Sequence, residues 1–521
     1  MCNDLSESIR RPARVLVNEQ ATKYRNGCGR LDTASGAVIG SASYASRISD
    51  TAKATVTPKI SHAVLLTSAQ LSRGFSRLFF VLVVARVLGP QQFGVYALLF
   101  AIVEMLAVAS GSGYADYLTR EAAKDPRLGW GLGSQLTWLR LACAFFLACA
   151  GLVMLWLFGY PRMVLLAAAW LSVSLAPRSV SEAVQGVLRG VGRYVAYLVV
   201  ELVFDLTLLG GVVFILAWGG GLRVVIATEV IAATTMSAAS IVFMLMFRTK
   251  DRVGLHIKQL LKKSSIFNIS AFVCNLYDRV DIVLLSKLAG DYATGVYSAA
   301  YRPLGTVQLV PYGVLYSLLP GLSRNAESRE ELSRLEKAMG FLLSAAFVVV
   351  LATMVFAGPA VHLLLGERYA ESAAALKILI WAVILRYVNF ALNTRLLAAG
   401  REKVFVVTSM VCLAVNVVAN VVFIPMFSWR AAAATTILTE LVLLGQNVYW
   451  LRRTVGSIPR PFGWVRSSLV FSALLVVSLV GARVVSLLWI GSACVLFFLA
   501  YLYRSGMIGE FATAWRRSGA T

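Results

Sequence analysis

About fourteen stretches of this 521-residue chain are each long and apolar enough to cross a lipid bilayer. Hydrophobic residues make up 58% of the sequence and charged residues 14%, whereas an ordinary soluble domain carries roughly 25% charged residues. Lipid offers backbone groups no hydrogen-bond partner, so such segments are expected to cross it as helices. We therefore predict an all-α, polytopic membrane protein. The predicted spans lie near residues 63–88, 94–118, 136–158, 163–187, 194–218, 224–247, 264–289, 293–320, 338–357, 374–398, 404–424, 431–451, 464–482 and 485–503.

One motif occurs twice in the chain, at an offset of 201 residues. Residues 85–97 read ARVLGPQQFGVYA, and residues 286–298 read SKLAGDYATGVYS. Both copies place a glycine three residues after a cation, continue to Gly-Val-Tyr, and lie in the short polar gap between two predicted spans. A membrane chain whose halves repeat in this way is typical of two-lobed transporters, which bind substrate where the lobes meet.

A fainter repeat lies within the predicted spans. Thr228-Glu229 matches Thr439-Glu440 at an offset of 211, so the second half requires extra sequence, which we place between Val361 and Ser372. We predict two six-helix lobes related by this repeat, with two extra C-terminal helices. The predicted organisation is a disordered cytoplasmic tail over residues 1–60, an N-terminal lobe over 61–250, a C-terminal lobe over 251–460, two additional helices over 461–503 and a cytoplasmic tail over 504–521.

The formal net charge of +23 follows the predicted topology. If the N-terminus is cytoplasmic, the inside loops hold most of the lysines and arginines, including those of residues 248–263, and the outside loops hold few. Lysine and arginine concentrate in the cytoplasmic loops of membrane proteins. The pattern therefore predicts an even number of spans with both termini in the cytoplasm. It indicates attraction to anionic membrane lipids rather than binding to nucleic acid.

The first copy of the motif, residues 85–96, resembles the first-loop signature of polysaccharide and oligosaccharide flippases of the multidrug/oligosaccharidyl-lipid/polysaccharide exporter superfamily. Residues 278–301 resemble the second-half signature of that family, and residues 364–369 and 416–425 fit it too. The resemblance covers roughly residues 62–450.

Members of that family move undecaprenyl-diphosphate-linked sugar units across the bacterial inner membrane, or support export of surface polysaccharide. The resemblance therefore implies a flippase that works by alternating access on a lipid-linked oligosaccharide. It also implies a location in the inner membrane, and a polysaccharide polymerase and glycosyltransferases of the same pathway as partners.

Charged and polar residues inside the predicted spans are candidates for the substrate site, because charges at mid-bilayer depth normally face a cavity or a partner. The planar guanidinium group of arginine can donate two parallel hydrogen bonds to the oxygens of a diphosphate. Amide side chains can form hydrogen bonds with a sugar. The candidate substrate-binding residues are Arg73, Arg77, Arg178, Asp278, Arg279, Asp281, Arg302, Arg386, Asn389 and Asn393.

Some of these charges also have a structural interpretation. Arg178 and Glu182 lie four residues apart and are spaced for a buried ion pair. Arg279 is placed for neutralisation by Asp278 or Asp281. On these interpretations the side chains stabilise the fold and do not contact substrate.

Four other charged residues have two interpretations each. Arg73 is either a cavity residue or a side chain that extends to the inner membrane edge. Asp205, Glu229 and Glu440 are candidates for proton or sodium coupling, or for hydrogen bonds between packed helices. The packing interpretation is the one we favour.

The sequence contains no GxxxxGK[ST] phosphate loop, no HExxH motif, no paired cysteine ligands and no nucleophile elbow. We therefore expect no enzyme activity, no cofactor and no metal site. Two other functions stay open. A cation-coupled multidrug exporter of the same superfamily fold predicts that carboxylates dominate the cavity. A membrane-embedded glycosyltransferase or ligase requires acidic catalytic residues on a loop. The predicted outside loops contain only Glu367 and Glu371 as such candidates.

Overall fold

The computed structural model describes residues 60–111, 113–247, 257–324, 328–481, 487–506 and 509. Within these ranges the regular secondary structure is helical and contains no β-strand. Most of both predicted cytoplasmic tails and the basic segment 248–256 lie outside the described residues. The predictions made for those segments are therefore not tested by the structure.

The described residues form sixteen α-helices, labelled here in chain order. They are α1 (Ile60–Ala109), α2 (Gly113–Lys124), α3 (Pro126–Leu157), α4 (Arg162–Ser172), α5 (Leu175–Gly190), α6 (Tyr194–Trp218), α7 (Leu222–Phe247), α8 (Ile257–Val307), α9 (Leu309–Arg324), α10 (Arg329–Leu365), α11 (Ala370–Leu379), α12 (Trp381–Ala398), α13 (Glu402–Phe427), α14 (Trp429–Thr454), α15 (Trp464–Gly481) and α16 (Leu487–Arg504). We refer to α1–α7 as the first half and to α8–α14 as the second half.

Two long helices are kinked at a glycine of the repeated motif. In α1, Gly89 has φ 73° and ψ 169°, and in α8, Gly290 has φ 84° and ψ 178°. Side chains with a Cβ rarely adopt positive φ values, so glycine is required at both kinks. The two copies of the motif thus form the same local structure in the two halves.

Eight helical segments of the described residues are long and apolar enough to cross a membrane. A ninth is gained if the pair 367–379 and 381–398, which is bent by 41°, counts as one span. The predicted count of fourteen is therefore not confirmed. The predicted spans 63–88 and 94–118 fall mostly within one segment, Ser72–Lys124, and α15 and α16 are too short to count as spans.

The extra sequence that we placed between Val361 and Ser372 is helical and packed. It comprises the end of α10, a 3₁₀ turn over Glu367–Tyr369 and the start of α11. Val361, Leu365 and Tyr369 are buried in an apolar cluster formed mainly by first-half residues. This segment therefore joins the second half to the first.

The distribution of apolar side chains matches a bundle immersed in lipid. Large apolar residues such as Trp138, Trp218 and Trp489 are exposed, and extensive exposed apolar surface marks a membrane-facing region. Polar side chains such as Glu229 and Glu440 are buried inside the bundle. The candidate site must therefore be sought among the interior charges. The predicted lobe boundaries and the sidedness of the termini stay predictions.

Candidate functional site

A charged network in the first half is centred on Glu229 of α7, which is fully buried. Arg77 of α1 donates from Nη1 to Glu229 Oε1 at 2.6 Å, and the Tyr96 hydroxyl donates to the same oxygen at 2.7 Å. Arg178 of α5 places Nη2 3.4 Å from Glu229 Oε2 and Nη1 3.0 Å from Glu104 Oε1. Two arginines therefore share one buried carboxylate, and a second carboxylate completes the network.

A comparable network lies in the second half around Glu440 of α14. Arg386 of α12 donates from Nε to Glu440 Oε1 at 2.6 Å, and Asn389 Nδ2 donates to Glu440 Oε2 at 2.9 Å. Arg386 Nη2 also donates to the Tyr301 hydroxyl at 3.0 Å and lies 3.9 Å from Asp278 Oδ1. Glu229 and Glu440, which the sequence repeat matched, thus each bind an arginine of their own half.

Two further polar contacts join α1 to α6 in the first half. The Ser72 hydroxyl donates to Asp205 Oδ2 at 2.7 Å, and Arg73 Nη1 lies 3.2 Å from Glu201 Oε1. The Arg73 side chain is about half exposed, whereas Glu201 is buried. The contacts of Asp205, Glu229 and Glu440 are those expected for helix packing. A role for them in ion coupling stays a prediction.

The ion pairs differ from those that sequence spacing suggested. Glu182 does not pair with Arg178; its Oε2 lies 2.5 Å from Nη2 of Arg140 on α3, and Arg140 is 1% exposed. Arg178 instead binds Glu104 and Glu229. Arg178 does not form the local i,i+4 pair with Glu182, because helix packing brings carboxylates of other helices into contact with it.

Neither predicted aspartate lies within ion-pair distance of Arg279. Asp281 is buried and accepts hydrogen bonds from the Tyr297 hydroxyl and from the Ile282 backbone N–H. Asp278 is exposed, and the cation within ion-pair range of it is Arg386. The two aspartates of α8 therefore have different environments despite their helical spacing.

A cavity of about 230 Å³ lies between α1 of the first half and α8 of the second half. Its polar lining includes Arg77, Asp278, Arg279, Arg302 and Gln308. Four of the predicted site residues therefore meet in one cavity between the halves. Three of those four are arginines, so the cavity wall is predominantly cationic.

Two of the cavity arginines have no carboxylate within ion-pair distance in the part of the chain that the structure describes. Arg77 is neutralised by Glu229, but neither Arg279 nor Arg302 forms an ion pair with a described residue. Arg279 Nε is also buried without a hydrogen-bond partner there. Because a buried cation is costly without a counter-charge, these two guanidinium groups are suited to bind an anion that enters the cavity.

The other predicted residues lie outside the lining of this cavity. Asn393 lines a separate cavity of about 290 Å³ with Tyr312, Phe390 and Arg401. Arg178, Arg386 and Asn389 belong to the glutamate networks, and Arg73 and Asp281 bind other partners. Within the described ranges, no group of three or more His, Cys, Asp or Glu side chains is arranged to hold a metal ion.

The two copies of the repeated motif touch each other through backbone atoms. A Cβ atom at Gly94 would lie 1.8 Å from the carbonyl oxygen of Asp291, and a Cβ atom at Gly295 would lie 1.8 Å from that of Pro90. Gly94 and Gly295 are matched positions of the repeat. We call the contact between residues 85–97 and 286–298 the motif interface. It leaves no space for a side chain at either glycine.

The matched cations of the motif make reciprocal contacts next to this interface. Arg86 Nη1 donates to the carbonyl oxygen of Leu363, near the end of α10, at 2.8 Å. Lys287 Nζ donates to that of Phe158, just after the end of α3, at 2.5 Å. The last carbonyl groups of a helix lack partners within the helix and attract cations. Each half therefore supplies a cation to a helix end of the other half.

Two tyrosines make a similar pair of contacts between the halves, each with the motif residue that precedes the cation. The Tyr369 hydroxyl donates to the carbonyl oxygen of Ala85 at 2.8 Å, and the Tyr160 hydroxyl donates to Ser286 Oγ at 3.3 Å. Tyr160 lies in the connection between α3 and α4, and burial raises the pKa of its hydroxyl above the usual value. It therefore stays protonated and able to donate.

Sequence reasoning did not single out Glu104, Arg140 or Glu201. All three lie inside predicted spans, at 94–118, 136–158 and 194–218. Every ionisable residue within a predicted span is a candidate for a buried partner or a site, so that criterion applied to each span would have found them.

Replacing Glu229 by glutamine is expected to destabilise the protein. The change leaves Arg77 and Arg178 without their shared buried carboxylate, and breaking a buried ion pair costs about 3–5 kcal/mol. Glu330→Gln is the matched control, because Glu330 is exposed and binds Arg334 at 2.7 Å at the surface, where a pair is worth about 0–1 kcal/mol. The check is thermal unfolding of both purified variants. Equal melting temperatures for the Glu229→Gln and Glu330→Gln variants would contradict a stabilising role for Glu229.

A family model described as polysaccharide biosynthesis protein matches residues 61–326, more than half of the chain. The chain belongs to this polysaccharide biosynthesis protein family. A second model, described as MatE, matches residues 268–422 of the same family member. The first match begins where the described helices begin and includes both copies of the repeated motif.

One curated relative of this family member is the capsular polysaccharide biosynthesis protein CapF of Staphylococcus aureus. It is 25% identical over 174 residues, which cover 33% of this chain and 44% of CapF. The chain therefore matches less than half the length of that curated relative.

Two solved structures show the same fold. A structure of the lipid II flippase MurJ in an inward closed conformation superposes with a TM-score of 0.64, 14% identity, and coverage of 85% of this chain and 99% of that one. An inward-facing multidrug resistance MATE family transporter of the MOP superfamily superposes with a TM-score of 0.60, 15% identity, and coverage of 74% and 95%.

These findings confirm the family and the all-α membrane fold expected from the sequence. This member of the polysaccharide biosynthesis protein family has the multi-pass helical fold that those two structures share. One of these two solved structures is of a flippase and the other is of a transporter.

Proposed function

We propose that this transporter flips a polyprenyl-diphosphate-linked oligosaccharide across the bacterial inner membrane for surface polysaccharide biosynthesis. The observation that carries the proposal is the cavity between the halves. It exposes two arginines, Arg279 and Arg302, that form no ion pair in the described part of the chain. A lipid diphosphate supplies the anionic oxygens that these guanidinium groups need.

The chemistry of the cavity lining supports an anionic headgroup. Arginine donates parallel hydrogen bonds to two phosphate oxygens and stays charged at any physiological pH. Gln308, which lines the same cavity, offers an amide to a sugar hydroxyl. The prenyl chain would remain in lipid beside the bundle, because it gains nothing from a charged cavity.

The transport cycle that we propose is alternating access. The motif interface joins the halves at the kinks of the cavity-lining helices α1 and α8, and its separation would open a path to that side. On the positive-inside pattern, the kinks would face the outside and both termini the cytoplasm. Glycosyltransferases would supply the lipid-linked substrate on the cytoplasmic side, and a polymerase would use it outside.

A multidrug exporter is the second candidate function. The match of residues 268–422 to MatE and the likeness to MATE transporter structures favour it. A binding site for cationic drugs requires predominantly acidic walls, whereas this cavity presents three arginines and one aspartate. The charge of the cavity therefore favours the lipid-linked anion.

Flipping in proteoliposomes tests the proposal directly. The purified full chain should flip a fluorescent polyprenyl-diphosphate disaccharide, measured as loss of protection from a membrane-impermeant quencher, faster than protein-free vesicles do. A polyprenyl-monophosphate analogue is the matched control and should flip more slowly, because it offers fewer oxygens to the arginines. Transport of a cationic dye without flipping of the diphosphate would favour the multidrug exporter and reject the proposal.

A further inference from the structure

One aromatic ring lies beside the guanidinium groups of three arginines. Phe100 of α1 is 5% exposed. The distance from its ring centroid to Cζ is 4.2 Å for Arg77, 5.3 Å for Arg302 and 5.8 Å for Arg178. Arg77 and Arg178 belong to the first half, whereas Arg302 belongs to the second. The ring therefore contacts cations of both halves.

The ring matters most for Arg302. A guanidinium group within about 6 Å of an aromatic centroid is attracted by the quadrupole of the ring, most strongly where water is excluded. Arg77 and Arg178 also bind carboxylates, at Glu229 and Glu104. Arg302 forms no ion pair among the described residues, and the Phe100 ring lies within cation–π distance of its guanidinium group.

Contact with a ring face leaves the hydrogen-bonding edge of a guanidinium group available. The five N–H donors of arginine lie in the plane of the group and point away from a ring above or below that plane. Arg302 lines the cavity between the halves, and Phe100 is not part of that lining. Phe100 is thus placed to orient Arg302 without touching a ligand in the cavity.

We propose that Phe100 is a positioning residue for the anion site. Its ring holds Arg302 of the second half beside Arg77 of the first half, so that guanidinium groups of both halves act on one ligand of diphosphate type. The inference rests on the proposed function, and it adds a residue that determines how tightly the diphosphate is bound.

Binding of inorganic pyrophosphate to the purified full chain in lipid nanodiscs tests this role. Phe100→Leu should weaken pyrophosphate binding by about 3- to 30-fold, which is the range of cation–π contacts from exposed to desolvated sites. Phe100→Trp should stay within about threefold of the unsubstituted protein, because tryptophan keeps a ring. Phe347→Leu is the matched control and should change nothing, since Phe347 is also 5% exposed but contacts the rings of Phe471 and Phe498.

The outcomes separate this inference from the proposed function. If Phe100→Leu binds as well as the unsubstituted protein while Arg302→Ala loses binding, the role of Phe100 is rejected and the anion site stands. If Arg302→Ala and Arg279→Ala both bind normally, the anion site itself is rejected. If Phe100→Leu gives too little folded protein, Phe100→Met fills the same space without a ring, and normal binding by that variant rejects the role.

Discussion

Alanine at Gly94 or at Gly295 is expected to keep the two halves from closing at the motif interface and to abolish transport. Each new Cβ atom would lie 1.8 Å from a backbone carbonyl oxygen of the other half, that of Asp291 or that of Pro90. A backbone group cannot move aside as the end of a flexible side chain can. Overpacking a tight contact costs about 1–3 kcal/mol or more, so the closed state should become at least about fivefold rarer.

Two measurements check this expectation. The first is flipping by equal amounts of folded protein in proteoliposomes. The second is labelling of a single cysteine at Thr306, a cavity-lining position, by an impermeant reagent applied from the motif side, which should increase. Gly210→Ala is the control, because a Cβ atom at Gly210 would meet nothing within 4 Å. Normal flipping and unchanged labelling in the Gly94 variant would show that the halves do not close there during transport.

Replacing Arg279 or Arg302 by alanine is expected to abolish glycan export while the protein still inserts into the membrane. Each change removes a cavity cation that forms no ion pair in the described ranges, so the fold loses little and the anionic ligand loses a charged hydrogen bond. Such bonds contribute about 1.5–3 kcal/mol, equivalent to roughly 10- to 150-fold in binding. Lysine at either position should restore part of the export, because it keeps the charge but loses the planar fork.

Export per folded protein in these four variants is the decisive quantity. Arg386→Ala is a contrasting variant, because Arg386 is bound to Glu440 at 2.6 Å and its loss should lower the amount of folded protein. Near-normal export from both alanine variants of Arg279 and Arg302 would reject the diphosphate role. If Arg279→Ala lowers folded protein and a second change at Asp278 or Asp281 restores it, Arg279 is part of a structural ion pair instead.

The architecture was largely predictable because it depends on local properties of the sequence. Apolar runs of membrane-crossing length give helices wherever the backbone must satisfy its own hydrogen bonds, and the repeated motif marked the kinks at Gly89 and Gly290. The number of spans was less predictable. A helix broken within an apolar run, such as the 41° bend between α11 and α12, leaves no strong mark in hydropathy.

The partners of the charged residues were only partly predictable. Spacing along one helix suggested Glu182 for Arg178, but the fold supplies Glu104 and Glu229 from other helices. The depth of a charge in a predicted span is local information, and it correctly marked Arg77 and Arg302 as interior residues. Which of them is neutralised depends on helix packing, which the sequence pattern does not contain.

The location of the charged contacts has a consequence for how the halves move. The carboxylate networks around Glu229 and Glu440 are buried within single halves, whereas the cross-contacts of Arg86 and Lys287 are exposed. When the halves part, water can take over the exposed hydrogen bonds at little cost, while the buried networks stay intact. Each half can therefore rotate as a rigid body. The buried ion pairs and hydrogen bonds within each half are kept during this rotation.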